Sequence, residues 1–149
     1  SHQEIGQLLN SISTQEDSFN SISERAVDEY VAIHEAIKNL AMPQTGYMWI
    51  QQPLVFWGNK PLTPNEKIWK ENGYSSGDPK IFRSYDINLK AKASSTPDLF
   101  SNFVDMTNVF DEIAEEVYID SGHLNRYGNL IVSARIANEI NSKQKEFGL

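Results

Sequence analysis

An α/β architecture is what this sequence predicts, on three observations. Short runs that favour extended structure occur at Tyr47-Met48-Trp49-Ile50-Gln51, at Phe103-Val104-Asp105 and at Val117-Tyr118-Ile119. Segments with apolar residues at helical spacing separate these runs, the arrangement that joins parallel strands. The last run ends at Asp120 in a Ser121-Gly122 turn, with His123 at the threshold of a further helix. In an open α/β sheet the carboxyl end of a strand is the usual place for ligands and catalytic groups.

From the N-terminus, Ile5, Leu8, Leu9 and Ile12 form a modest apolar stripe in a polar, Ser- and Gln-rich segment. Residues 1–22 are therefore expected to be a helix or polar arm ahead of one main unit, residues 23–149. Ser1-His2 has the form that a cleaved expression tag leaves. Ser23 offers an N-cap, and Val27, Tyr30, Val31, His34, Ile37 and Ala41 form one face of a helix that stops before Pro43. A lone histidine in such a stripe packs at the edge of a core, so His34 reads as structural.

The run at 47–51 has the character of a buried parallel strand. Its polar end, Gln51-Gln52-Pro53, would open onto the same sheet edge as Asp120 and His123. The aromatic loop that follows has two readings: a wall or lid for an acyl or sugar substrate, which makes Gln51, Gln52, Phe56 and Trp57 substrate-proximal, or a loop pinned to the core by its aromatics. Thr63-Pro64-Asn65-Glu66 is a capping box with proline at the first helical position. A helix of about two turns would follow, ending near Gly73.

Asp78-Pro79 begins another helix, carrying Ile81, Phe82, Tyr85 and Leu89. After the strand at 103–105, Thr107 or Asn108 caps a helix with Val109, Phe110 and Ile113, and Glu112, Glu115 and Glu116 read as its solvated face. Asn125 caps the closing helix, in which Leu130, Ala134, Ala137 and Ile140 recur at helical spacing.

At 149 residues, with 40% hydrophobic and 11% aromatic residues, the chain supports a packed core. Its net charge is −7, with acidic residues dispersed, which argues against nucleic acid and anionic membrane surfaces as partners. There is no cysteine, hence no disulfide, thiolate nucleophile or cysteine-ligated metal. No apolar run reaches the length of a membrane span.

A carboxylate three residues before a histidine, across a tight turn, can accept a hydrogen bond from one ring nitrogen and leave the other facing the cleft as a general base. The competing reading is that Asp120 caps the turn while His123 is an ordinary polar residue at a helix start. Metal hydrolysis through Asp120 and His123 would need a further ligand, which neither His2 nor His34 offers at defined spacing, so no metal or other cofactor is expected.

The stretch Tyr118-Ile119-Asp120-Ser121-Gly122-His123-Leu124-Asn125, followed by Gly128-Asn129 and an Ala/Ile-bearing helix, resembles the C-terminal block of the SGNH (GDSL-type) serine hydrolases. Gln52-Pro53-Leu54, Lys60-Pro61-Leu62-Thr63 with Glu66, Phe103-Val104-Asp105-Met106-Thr107 and Val109-Phe110-Asp111 are similar to the second half of such proteins. The likeness runs from about Asp28 onward, and is specific at the Asp-His block and loose elsewhere. It implies the C-terminal part of a three-layer α/β/α sandwich with a mainly parallel sheet, a flavodoxin-like SGNH fold that is incomplete as a single chain. It also implies His123 as general base and Asp120 as the residue that orients it.

The family's G-D-S block, which carries the nucleophilic serine, and its G-x-N-D oxyanion segment have no counterpart here. Gly77-Asp78-Pro79 is the nearest approach, and its third residue has no hydroxyl. The resemblance therefore implies the Asp-His half of a serine ester hydrolase acting on an acyl ester or O-acylated carbohydrate, inactive alone. The alternative is a non-catalytic fragment or assembly module that keeps the hydrolase half for packing. In either case an exposed sheet edge would call for a homodimer or a partner chain.

Overall fold

The computed structural model describes the backbone of residues 2–41, 46–72 and 79–146 and the side chains of 18–41, 46–72 and 79–143. Its elements are α1 (His2–Leu40), β1 (Trp49–Gln51), α2 (Pro64–Asn72), α3 (Pro79–Ser95), β2 (Phe103–Asp105) and α4 (Arg126–Glu146). Helix and strand are mixed, and β1 and β2 form a two-stranded parallel sheet, so the protein is broadly α/β. Contacts divide the chain into two units.

The first unit comprises the described residues of Ser1–Tyr47 and Lys80–Ser101, and is built on α1 and α3. Their contacts advance together along both helices, so the two run in the same direction. Asn20 accepts from Ser84 and Asn88, Asp28 pairs with Lys92 at 2.8 Å, and the Lys38 ammonium donates to the Asp98 carbonyl just beyond α3. Val27, Val31 and Leu89 are buried here. His34 packs edge-on against Tyr30, ring centroids 4.5 Å apart, and desolvation lowers its pKa.

Ser23 is not an N-cap. No glycine or proline lies between Gly6 and Pro43 to stop a helix, so α1 runs through the polar arm and Ser23 sits in its interior. Its buried hydroxyl donates to the Asn20 carbonyl one turn back and lies 2.8 Å from the Ser84 hydroxyl, a polar contact between the two helices.

The second unit holds the described residues of Met48–Pro79 and Asn102–Leu149. Trp49, Ile50 and Gln51 pair with Phe103, Val104 and Asp105, and the Trp49 and Phe103 rings meet edge-to-face at 5.0 Å. The capping box forms as the sequence implies: the Thr63 amide donates to Glu66 Oε2 at 3.0 Å and the Glu66 amide to Thr63 Oγ1 at 3.4 Å. Leu54, Val55, Phe56, Trp57, Val104, Met106, Phe110, Val117 and Tyr118 are buried.

Three expectations differ here. Residues 107–113 are not a helix but successive tight turns, Val109 bonding back to Met106, Asp111 to Asn108 and Ile113 to Phe110. Asp105, just ahead of them, accepts the Thr107 amide, and the Asp111 side chain accepts the Asn59 amide from a distant loop.

Val117, Tyr118 and Ile119 are not a third strand of the sheet. Their segment turns back on itself through an antiparallel bridge between Tyr118 and Leu124, because Val117 and Tyr118 give their amides to the Glu66 carboxylate. In α4, the stripe Leu130, Ala134, Ala137 and Ile140 faces outward, and Ile131, Val132 and Ile136 are the half-buried face. Both faces are apolar, and spacing alone does not say which is inside.

Candidate functional site

The Asp-His block folds as a small hairpin set into α4. The Ile119 amide donates to the His123 carbonyl at 2.9 Å and the Asn125 amide to the Val117 carbonyl at 2.8 Å. Asn125 then caps α4, its Oδ1 accepting the Gly128 amide at 2.9 Å, while its Nδ2 donates to the Glu116 carbonyl at 2.6 Å. Gly128 is required at this joint, since a Cβ there would stand 2.7 Å from the Val117 carbonyl oxygen.

At the hairpin tip, Asp120 Oδ1 accepts the amides of Gly122 at 2.8 Å and His123 at 2.7 Å. Its other oxygen, Oδ2, lies 2.7 Å from His123 Nδ1. The carboxyl is held below its ordinary value, chiefly by the Gly122 amide and further by the His123 amide and imidazole. Asp120 is thus ionised at neutral pH, and because a carboxylate only accepts, Nδ1 is the ring nitrogen that donates to it. Among the described residues no hydrogen bond ends on His123 Nε2, and the ring is 72% exposed. The geometry holds Nδ1 against Asp120 and leaves Nε2 facing solvent.

The two residues that the sequence singles out are brought together; the four beside them are not joined to them directly. Gln51 ends β1 and is buried, its carbonyl accepting the Met106 amide. Gln52 is exposed, and Phe56 and Trp57 are buried at 6% and 7% exposure, as a loop pinned to the core would have them. Neither glutamine hydrogen-bonds Asp120 or His123 among the described residues. The aromatic loop nevertheless abuts the hairpin tip, for the Val55 amide donates to the Ser121 carbonyl at 3.1 Å. The expectation that Gln51-Gln52 and the Asp-His pair share one sheet edge fails, because the pair stands on a hairpin outside the sheet.

Ser121 is 4% exposed, so its hydroxyl is no nucleophile for a solvent-borne ester. Ser76, Gly77 and Asp78 lie outside the described residues. Among the described residues no cluster of three or more His, Asp or Glu could hold a metal ion, and no helix is long and apolar enough to cross a membrane.

Glu66 does more than cap α2, and Glu116 is not on a solvated helix face. Glu66 is fully buried and also holds the root of the hairpin: Oε1 accepts the Val117 amide at 2.9 Å and the Tyr118 amide at 3.3 Å, and Oε2 accepts Lys60 Nζ at 2.7 Å. Glu116 Oε2 accepts Asn65 Nδ2 at 2.9 Å and Thr63 Oγ1 at 3.2 Å. Both contacts join residues about fifty positions apart, and no local sequence signal marks them. A scan of protein-family models, a search of curated proteins and a search of solved structures each found no match for the chain.

Proposed function

We propose that the chain supplies the general-base half of an SGNH-like serine ester hydrolase, as the C-terminal part of a three-layer α/β/α sandwich. The observation that carries this reading is the 2.7 Å contact of His123 Nδ1 with an Asp120 carboxylate that two backbone amides hold in place. In the reaction, a serine hydroxyl from outside these 149 residues attacks the ester carbonyl and gives its proton to His123 Nε2. The imidazolium, stabilised by Asp120, returns that proton to the departing alcohol, and water later releases the acyl group by the same route. The substrate class is an acyl ester or an O-acylated carbohydrate. A partner chain or a second copy covers the edge of the two-stranded sheet, and the nucleophile and oxyanion donors come from outside this sequence.

Hydrolysis of p-nitrophenyl acetate by the purified chain tests this reading, with His123→Ala and Asp120→Asn as controls and acyl adducts mapped by mass spectrometry. Turnover at or near background, with no acyl-serine on the chain, is the expected outcome. The oxyanion donors and the nucleophile are each worth about a hundredfold or more, so the chain alone should be feeble. An acyl adduct on Ser121 or Ser76 overturns the claim that the nucleophile lies elsewhere. Turnover above background that is indifferent to both substitutions sinks the pair as a base.

A further inference from the structure

A buried lysine-glutamate pair needs a reason. Taking two charges out of water costs more than their attraction returns unless hydrogen bonds complete the arrangement, and apolar residues of similar size commonly serve stability as well. Lys60 and Glu66 have side chains 3% and 0% exposed, and they meet at 2.7 Å. Some of the bonds that complete the arrangement are local to the start of α2, and two reach across to the hairpin. The Lys60 ammonium also donates to the Pro61 carbonyl at 3.0 Å, Glu66 Oε2 takes the Thr63 amide, and Glu66 Oε1 takes the amides of Val117 and Tyr118. Those two amides lie immediately ahead of the hairpin tip that carries Asp120 and His123.

The consequence for the tip follows from the pairing. Tyr118 faces Leu124 in the antiparallel bridge, with Tyr118 buried and Leu124 half-buried. The next pair outward, Ile119 and His123, is joined by the Ile119 amide and stands on the exposed face. A shift of one residue in the 117–119 segment would exchange the faces and turn Ile119 inward in place of Tyr118. The spacing that brings Asp120 Oδ2 to His123 Nδ1 depends on that register. Neighbouring bonds reinforce the hold, Glu116 accepting from Thr63 and Asn65, so the start of α2 grips the incoming limb of the hairpin, and Asn125, at the start of α4, bonds back to it from the outgoing limb.

We infer that the Lys60–Glu66 ion pair is a positioning device for His123: Glu66 fixes the register of residues 117–118, and with it the Asp120–His123 hydrogen bond that sets which ring nitrogen is the base. This rests on the general-base reading of His123. Glu66 touches no reacting atom. It acts through backbone amides, and Lys60 keeps it charged and aimed at them.

The ring-nitrogen 15N signals of His123 in alkaline buffer, where imidazoles are neutral, read the tautomer directly. A hydrogen bond to a charged acceptor favours one tautomer on the order of tenfold, here Nδ1–H. Glu66→Gln and Lys60→Met are each expected to bring that preference toward parity. Val104→Ala, a buried truncation on β2, should leave it unchanged while lowering stability. Lys60→Met gives the result where Glu66→Gln does not fold. A tautomer preference kept in both variants, or lost equally in Val104→Ala, overturns the positioning role and leaves the base reading standing. A wild-type ring without the preference overturns the pair and its positioning device together.

Discussion

Glu66→Ala is expected to lose about 3–5 kcal/mol of stability, the range for breaking a buried ion pair from one side. The loss has three parts. Among the described residues the Lys60 ammonium, its side chain 3% exposed, keeps only the Pro61 carbonyl. The buried amides of Val117 and Tyr118, and the part-buried amide of Thr63, lose their acceptor. The capping box at the start of α2 loses its reciprocal bond. All three tryptophans of the chain, Trp49, Trp57 and Trp69, belong to the same unit, so urea unfolding followed by their fluorescence reports on the right region. An unfolding midpoint within error of wild type would show that the pair contributes nothing.

The same carboxylate sets a pH dependence. Burial by itself raises the pKa of Glu66, but the Lys60 ammonium and the amides of Val117, Thr63 and Tyr118 outweigh it, and the folded value lies below the ordinary carboxylate one. A folded pKa below the unfolded one stabilises the fold above the unfolded pKa, and that contribution is lost as pH falls through the folded value. The acid limb of the wild-type stability curve should therefore flatten in Glu66→Ala.

Gly58→Ala should be costly for a different reason. Gly58 has φ of 67°, in the left-handed region, and a Cβ would meet the Thr107 carbonyl oxygen at 2.5 Å and Asp111 Oδ1 at 2.6 Å. The first obstacle is backbone. The second is a carboxylate already bonded to the Asn59 amide at 2.7 Å, so neither can simply swing away. Left-handed strain of about 1–2 kcal/mol and overpacking of about 1–3 kcal/mol add to an expected loss of roughly 2–5 kcal/mol. Gly46→Ala is the control, since nothing lies within 4 Å of its added Cβ, and it should be close to neutral by the same unfolding measurement. Equal effects at the two glycines would refute the steric argument.

What was legible in the sequence was local. The capping box at Thr63–Glu66, the start of α3 at Pro79, the strand Phe103–Asp105, the Asn125 cap and the Asp120–His123 contact each depend on residues a few positions apart. What was not legible depends on partners far along the chain. Val117 and Tyr118 have the composition of a strand, yet a carboxylate from α2 takes their amides, and no pattern within 117–119 announces that. Ser23 suits an N-cap by residue type, but nothing upstream interrupts α1. At 107–113 the turns are tied by Asp105 to the Thr107 amide and by Asp111 to the distant Asn59 amide, and the second of these has no signal in the local sequence. For α4, period alone could not choose between two apolar faces.

The most direct measurement of the central claim is the tautomer of His123 in wild type and in Asp120→Asn, read from ring-nitrogen 15N spectra. Asp120 Oδ1 is held by two backbone donors, so an asparagine would keep its oxygen there and present its NH2 to His123 Nδ1. The neutral wild-type ring is expected to carry its proton on Nδ1 with Nε2 free to act as base, and the variant to invert this and protonate Nε2. A ring that carries its proton on Nε2 in the wild type, or a tautomer unchanged by Asp120→Asn, would contradict the claim that Asp120 orients His123 as a general base.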